Sequence, residues 1–515
     1  MPRAFSISAL PLAAVPLALL VSSCAVGPNF VKPSPNMPAR WSATAERNGH
    51  EGGSRVSASE PQPLAWWSDF KDPQLTALVN ESAAQNLDVR QAALRIEEAQ
   101  AQAQVLFGGL WPSLAANASW ARQRISTNTP NGVLFSGAFS GALRGDPALG
   151  ALITNPYNQA QLGLGASWEL DLFGATRRGI AAANARTQAA VDSAREVLLT
   201  MVSTVAQTYI SLRGEQLSLS ILQRSLATER GILELTQERY KAGLTSDLDV
   251  QNASAELDTT RAQLPLVRQA ITLDINQLGE LMDKPPEALR HELAESRPVP
   301  PVPPVPPVVP IGLPSQLLRR RPDIREAEAQ LHAATEQIGI AISEYFPSVT
   351  LTAGGGFQAE SFGSLIQAAS HFASIGPQIN LPIFEGGRIR ATVHLRRLQA
   401  KEAAVIYART VVTALTQVED ALAAYGADQA RQVSLQAAVK ASRSALSLAR
   451  QRYQSGVASF IAVLDAERTE QRSELSLADA STAVSTDLVH LYQALGGGWE
   501  ATARANPASG AAAGD

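Results

Sequence analysis

The sequence predicts a mostly α-helical protein that also carries a transmembrane β-barrel portion, built as two copies of one pattern. Three observations carry that prediction. Matching blocks recur at a long spacing, four segments of roughly ten residues alternate in polarity, and two proline-free runs are far longer than the helices of an ordinary domain.

The chain has 515 residues, of which 45% are hydrophobic, 5% aromatic and 17% charged, with a formal net charge of −4. Long stretches rich in Ala, Gln, Leu and Arg favour helix. A near-neutral balance points away from nucleic acid as a partner.

The first 23 residues read as an export signal. Arg3 supplies the positive charge, Ala9 to Val21 is an apolar stretch, and Ser22 and Ser23 are small. The stretch is too short to span a bilayer, and Pro11 and Pro16 argue against a buried helix. Next comes Cys24, the only cysteine in the chain, which has no partner for an intramolecular disulfide. The run V-S-S-C resembles a bacterial lipobox, in which the cysteine becomes the first mature residue and is acylated. Several acyl chains anchor a protein stably where one does not. Ala25 after it, in place of Asp, directs the anchor to the outer membrane. Residues 24–63 then form an extended, lipidated N-terminal segment.

The repeat is read from paired blocks. "NLDVRQAALRIEEAQAQAQ" from Asn86 parallels "RPDIREAEAQLHAATEQIG" from Arg321, and "LWPSLAANASW" from Leu110 parallels "YFPSVTLTAGG" from Tyr345, each offset by 235 residues. Further on, Phe173 parallels Phe384 at an offset of 211, and Tyr240 parallels Tyr453 at 213. The fall in offset places about two dozen extra residues in the first half. They belong to the Gly-, Pro- and Asn-rich segment after Arg122, a long surface loop. The two repeats are residues 64–283 and 322–495.

Each repeat follows one order: helix, strand, loop, strand, very long helix, turn, helix. The leading helices are Gln74–Phe107 and Pro322–Ser343. The strands are the segments around Leu114–Trp120, Leu162–Leu170, Val349–Phe357 and Ile375–Ile383. In each, apolar residues alternate with small or polar ones, the pattern of a membrane strand, although periodicity alone does not exclude a half-buried soluble sheet. Few other strand-like segments exist to cover these four. Known barrels need about eight or more strands, and an open edge in lipid leaves unpaired backbone groups. One chain therefore cannot close the wall, and identical chains must share it.

The long helices are Arg177–Ala242 and Arg388–Ser455. At 1.5 Å per residue each reaches about 100 Å. "YKAG" and "YQSG" end them, with Gly243 and Gly456 supplying the left-handed turn position. The returning helices are Asp247–Met282, with Pro265 inside, and Phe460–Leu495. Between the repeats, residues 284–321 hold a dense proline run, Arg297–Ser315, which favours a stiff extended connector. The tail, 496–515, is Gly- and Ala-rich and is expected to be disordered.

Chemistry is hard to find. The six histidines form no metal-binding spacing, and no nucleophile elbow, Walker loop or dinucleotide fingerprint occurs, so neither a catalytic residue nor a metal site is expected.

Taken together, "CAVGPNF" at Cys24, "WWSDFKDPQLTALV" at Trp66, "WELDLFG" at Trp168, "RYKAGLTSDLDVQNA" at Arg239 and "GLPSQLLRRRPDIREAEAQL" at Gly312 resemble the outer membrane factor (TolC-like) family. The likeness is to its NodT/OprM-type lipoproteins and covers nearly all of the mature chain. The resemblance implies a homotrimer whose chains give four strands each to a shared 12-stranded barrel and their helices to a long periplasmic helical barrel, with 284–321 in an equatorial belt. It implies a passive exit duct for small molecules, partnered by a periplasmic adaptor (membrane fusion) protein and an inner-membrane RND-type transporter. The alternative is the duct of a type I protein-secretion system; a purely structural envelope protein ranks third. No cofactor is implied beyond the covalent lipid on Cys24. For the periplasmic gate it implies Asp249 and Tyr453 as polar bonds holding the helix ends shut, and Asp465 as a carboxylate ring. Ala458 and Ala462 stand where the family often carries an arginine and a second acidic residue.

Overall fold

The structure, a computed structural model, describes residues 25–42, 54–58, 64–126, 128–129, 156–294 and 301–501. Cys24, the export signal and most of the inserted loop fall outside them. In chain order the elements are β1 (Arg55–Ser57), α1 (Pro73–Gln85), α2 (Leu87–Gly108), β2 (Ser113–Gln123), β3 (Tyr157–Leu170), α3 (Ala175–Lys241), α4 (Asp247–Leu281) and α5 (Pro286–Leu293). They continue with β4 (Val308–Pro310), α6 (Leu317–Arg320), α7 (Pro322–Ser343), β5 (Ser348–Ala359), α8 (Phe362–Leu365), β6 (His371–Asn380), α9 (Arg388–Gln454) and α10 (Phe460–Ala494). Both α3 and α9 run unbroken for 67 residues, because neither contains a proline and their few glycines cost only about 1 kcal/mol each.

Where one leading helix was expected over Gln74–Phe107, two form. Asn86 leaves the helical conformation (φ −59°, ψ 129°). Its Oδ1 caps α2 by accepting from Val89 N at 3.1 Å, and its Nδ2 donates to Leu281 O at 2.9 Å. A buried asparagine satisfied in this way outcompetes helix continuation.

The chain divides into two compact units. The first comprises residues up to Val31, Gln100–Ala185 and His332–Glu402. It holds an antiparallel sheet in the order β2-β3-β5-β6. Its leading segment is clasped in place. Gly27 lies against Gly339 so closely that a Cβ on it would sit 2.5 Å from Gly339 Cα, and Val26 N donates to Phe173 O at 3.1 Å. Arg178 donates to Gly27 O (3.3 Å), Asn29 Oδ1 (2.9 Å) and Glu336 Oε2 (2.8 Å).

The second unit comprises Lys32–Ala99, Arg186–Leu331 and everything from Ala403 onward. Its core joins Trp66, Phe70, Leu75, Tyr209, Leu278, Tyr425 and Tyr492, all fully buried. Trp66 stacks on Tyr492 with centroids 5.4 Å apart. Asp72 caps α1 and accepts from the Tyr209 hydroxyl at 2.9 Å, which explains the clustering of "WWSDFKDP". Within the proline run expected as a stiff extended connector, Val308–Pro310 forms β4, which pairs in parallel with β1; α5 precedes the run and α6 follows it.

The tail expectation is corrected at its start. Gly496 and Gly498 take left-handed φ values of 73° and 116°, which turn the chain back onto the core. Trp66 Nε1 donates to Gly497 O at 3.0 Å, and Trp499 Nε1 donates to Arg320 O at 3.1 Å. The Trp499 ring lies under the guanidinium of Arg195 at 4.6 Å. Burial of one indole outweighs the flexibility of the neighbouring glycines.

Candidate functional site: a two-faced open sheet and a helical tip

Pairing in the sheet sorts its side chains. Directly opposed residues share a face, and one face collects Leu114, Ala166 and Ala353 with Ile375, and Trp168 and Leu351 with Pro377. The other collects Asn117, Gly163, Gly356 and Phe372, then Ala115, Gly165, Gly354 and Ser374, then Thr352 and Gly376. Among the described residues nothing covers the apolar face: Leu114, Trp120, Leu164, Ile375 and Ile379 are all more than half exposed. Strands of 10 to 14 residues are long enough to cross a bilayer at a tilt. Among the described residues β2 and β6 each pair on one side only, so both edges present unpaired N–H and C=O groups.

At the end where β3 stops and β5 starts, Phe173 and Phe346 stack with centroids 4.7 Å apart. Trp168 Nε1 donates to Leu110 O at 2.9 Å. These are aromatics of the kind that border a membrane strand.

The second feature lies in the second unit, where α3 turns into α4 and α9 into α10. Gly243 and Gly456 have φ of 68° and 74°. Each sits in a Schellman turn: Leu244 N reaches Arg239 O and Val457 N reaches Arg452 O, both at 2.9 Å. Asp249 caps α4, accepting at Oδ2 from Thr245 Oγ1 and from Ser246 N at 3.4 Å. Tyr453 is buried, with the Arg239 guanidinium 4.7 Å over its ring and Phe460 5.8 Å away. Its hydroxyl has no hydrogen-bond partner among the described residues. Asp465 is exposed on α10. Within one chain no hydrogen bond joins these three residues. Within this chain Asp249 caps α4, and the Tyr453 ring packs against Arg239 and Phe460.

Sequence reading missed a charged layer beneath the turns. Glu229 on α3, Glu256 on α4 and Glu467 and Glu474 on α10 are all buried. Burial, and then the neighbouring Glu229, push the Glu467 carboxyl up to about 8. Burial, partly offset by the hydrogen bond from Thr260, pushes Glu229 to about 7. One signal was present: Glu467, Glu470 and Glu474 recur at three- and four-residue steps, the spacing of one helix face.

Among the described residues no helix is long and apolar enough to cross a membrane, and no three His, Cys, Asp or Glu side chains are placed to hold a metal ion.

The family model described as outer membrane efflux protein matches residues 78–283 and 313–497. The chain belongs to this family. Among relatives, the solvent efflux pump outer membrane protein SrpC of Pseudomonas putida is 32% identical over 483 residues, 93% of this chain and 97% of that one. Nodulation protein T of Rhizobium leguminosarum bv. trifolii is 30% identical over 492 residues, 95% of this chain and 97% of its own. The solved outer-membrane channel OprN superposes with a TM-score of 0.82 at 31% identity, covering 93% of this chain and 100% of that channel. As an outer membrane efflux protein, the chain works in the outer membrane as a channel component of efflux. The fold that the resemblance implied is the TolC-like one of these channels.

Proposed function

We propose that the chain is the passive exit duct of a tripartite RND-type pump. Three copies complete a 12-stranded barrel, and a periplasmic adaptor and an inner-membrane RND-type transporter deliver small molecules to it. The observation that supports this best is the sheet: four strands, one apolar face left bare, and two unpaired edges. In hydrocarbon each unpaired backbone group costs several kcal/mol, so such a sheet is stable there only when neighbours close it. Cys24 carries the lipid and becomes the first mature residue. The duct itself performs no catalysis, holds no metal and needs no cofactor beyond that lipid.

The test has two arms. The mass of the detergent-solubilised complex is expected to equal three acylated chains, with no stable single folded copy. Deletion is expected to sensitise cells to solvents and small antibiotics while leaving protein secretion intact. Lost secretion with unchanged sensitivity would replace this reading with a type I secretion duct.

A further inference from the structure

The buried charged layer of the tip joins all four helices of the two hairpins, α3/α4 and α9/α10. Glu229 Oε1 on α3 accepts from Thr260 Oγ1 on α4 at 2.8 Å, and Gln471 Nε2 on α10 donates to the same hydroxyl at 3.3 Å. Arg468 on α10 donates through Nε to Glu256 Oε2 on α4 at 2.7 Å. Arg450 on α9 lies 3.7 Å from Glu467. Arg443 on α9 reaches Glu470 and Glu474, and Arg224 on α3 reaches Glu474 at 3.2 Å. Next to the layer, Tyr453, Phe460, Val463 and Leu464 pack with Ala253 and Ile232 into the apolar core of the tip.

The charges do not balance. Five carboxyls, of Glu229, Glu256, Glu467, Glu470 and Glu474, face four guanidiniums, of Arg224, Arg443, Arg450 and Arg468. The surplus falls on Glu229, 3% exposed, which accepts its hydrogen bond from a neutral hydroxyl. Glu229 Oε2 and Glu467 Oε1 are buried with no hydrogen bond. Because they are enclosed by their own chain, a neighbouring copy cannot reach them. An isolated buried carboxylate is far costlier than a buried carboxylic acid.

We propose that this layer is a proton-operated latch: with Glu229 and Glu467 neutral the two hairpins pack together, and losing a proton from the layer loosens them and lets ions through the tip. The proposal rests on the channel reading.

The direction follows from linkage. In the closed tip the carboxyls sit at about 7 for Glu229 and about 8 for Glu467, against 4.5 when solvated. Closure is fully favoured below the solvated value. It weakens by up to about tenfold per pH unit per group as pH rises toward the closed-state values, and changes no further above them.

The experiment compares wild type with Glu229→Gln/Glu467→Gln, in which both side chains stay neutral. Open probability in planar bilayers is read at about pH 5.5 and about pH 8.5. Wild type is expected to rise at least about tenfold, and the double variant to stay flat at the low level. Glu229→Gln alone, the milder change, is expected to show a reduced rise. In parallel, hydrogen exchange of peptides spanning 225–260 and 440–475, corrected for intrinsic rates, is expected to speed up at the higher pH in wild type only. An equal rise in the double variant, or pH-independent exchange in wild type, overturns the latch. Absence of conductance at either pH would refute the channel reading instead, and exchange would still decide the latch.

Discussion

Replacing Arg178 by Met probes the clasp that holds the leading segment in the first unit. The Arg178 and Glu336 side chains are only 8% and 5% exposed, and the pair meets at 2.8 Å. With the guanidinium gone, the Glu336 carboxylate keeps the His332 imidazole beside it, with Nε2 at 3.5 Å. Removing one partner of a buried pair costs about 3–5 kcal/mol. Gly27 O and Asn29 Oδ1 also lose their donors, at about 1 kcal/mol each where water cannot replace them. The sum is expected near the upper end of that range, since the exposed rim of the clasp can rehydrate. Arg178→Met/Glu336→Leu removes both charges and is expected to recover about half. The assay is denaturant unfolding of the detergent-solubilised protein, paired with hydrogen exchange at Val26, whose amide bonds Phe173 O. Single and double variants within about 1 kcal/mol of wild type, with Val26 still protected, would refute the reasoning.

Among the described residues the Tyr453 hydroxyl has no hydrogen-bond partner, so Tyr453→Phe is expected within about 0.5 kcal/mol of wild type in thermal unfolding, while Tyr453→Ala loses about 3–5 kcal/mol of tip packing. Gly243→Ala and Gly456→Ala each force a Cβ into left-handed backbone. Each is expected to cost about 1–2 kcal/mol, read as faster exchange in the flanking helix ends with the sheet unchanged.

Much of this molecule could be read before any coordinates. Alternation from Leu114 to Trp120 and from Leu162 to Leu170 identifies a strand face directly, since each residue's side is set by its parity alone. Proline-free runs give α3 and α9 nearly to their ends because nothing in them interrupts the hydrogen-bond ladder. Failures came where one side chain satisfied a distant backbone group. Asn86 broke a helix by bonding Leu281, and Trp499 ordered a glycine-rich end by bonding Arg320. No local pattern encodes such partners. The Glu229 layer was hidden for a similar reason: a charged residue on a helix usually faces solvent, and only the packing of four helices shows that this one does not.

The polar face of the sheet has one more consequence. Where Gly163 opposes Gly356 and Gly165 opposes Gly354, no side chain rises from these four residues, while the Phe372 ring leans towards Gly163 and the Asn117 amide towards Gly165. A molecule sliding past meets a shallow strip with few groups to hold it, so its dwell time is set largely by its size and by diffusion. Such a surface discriminates weakly between cargoes and is hard to clog with one that binds well.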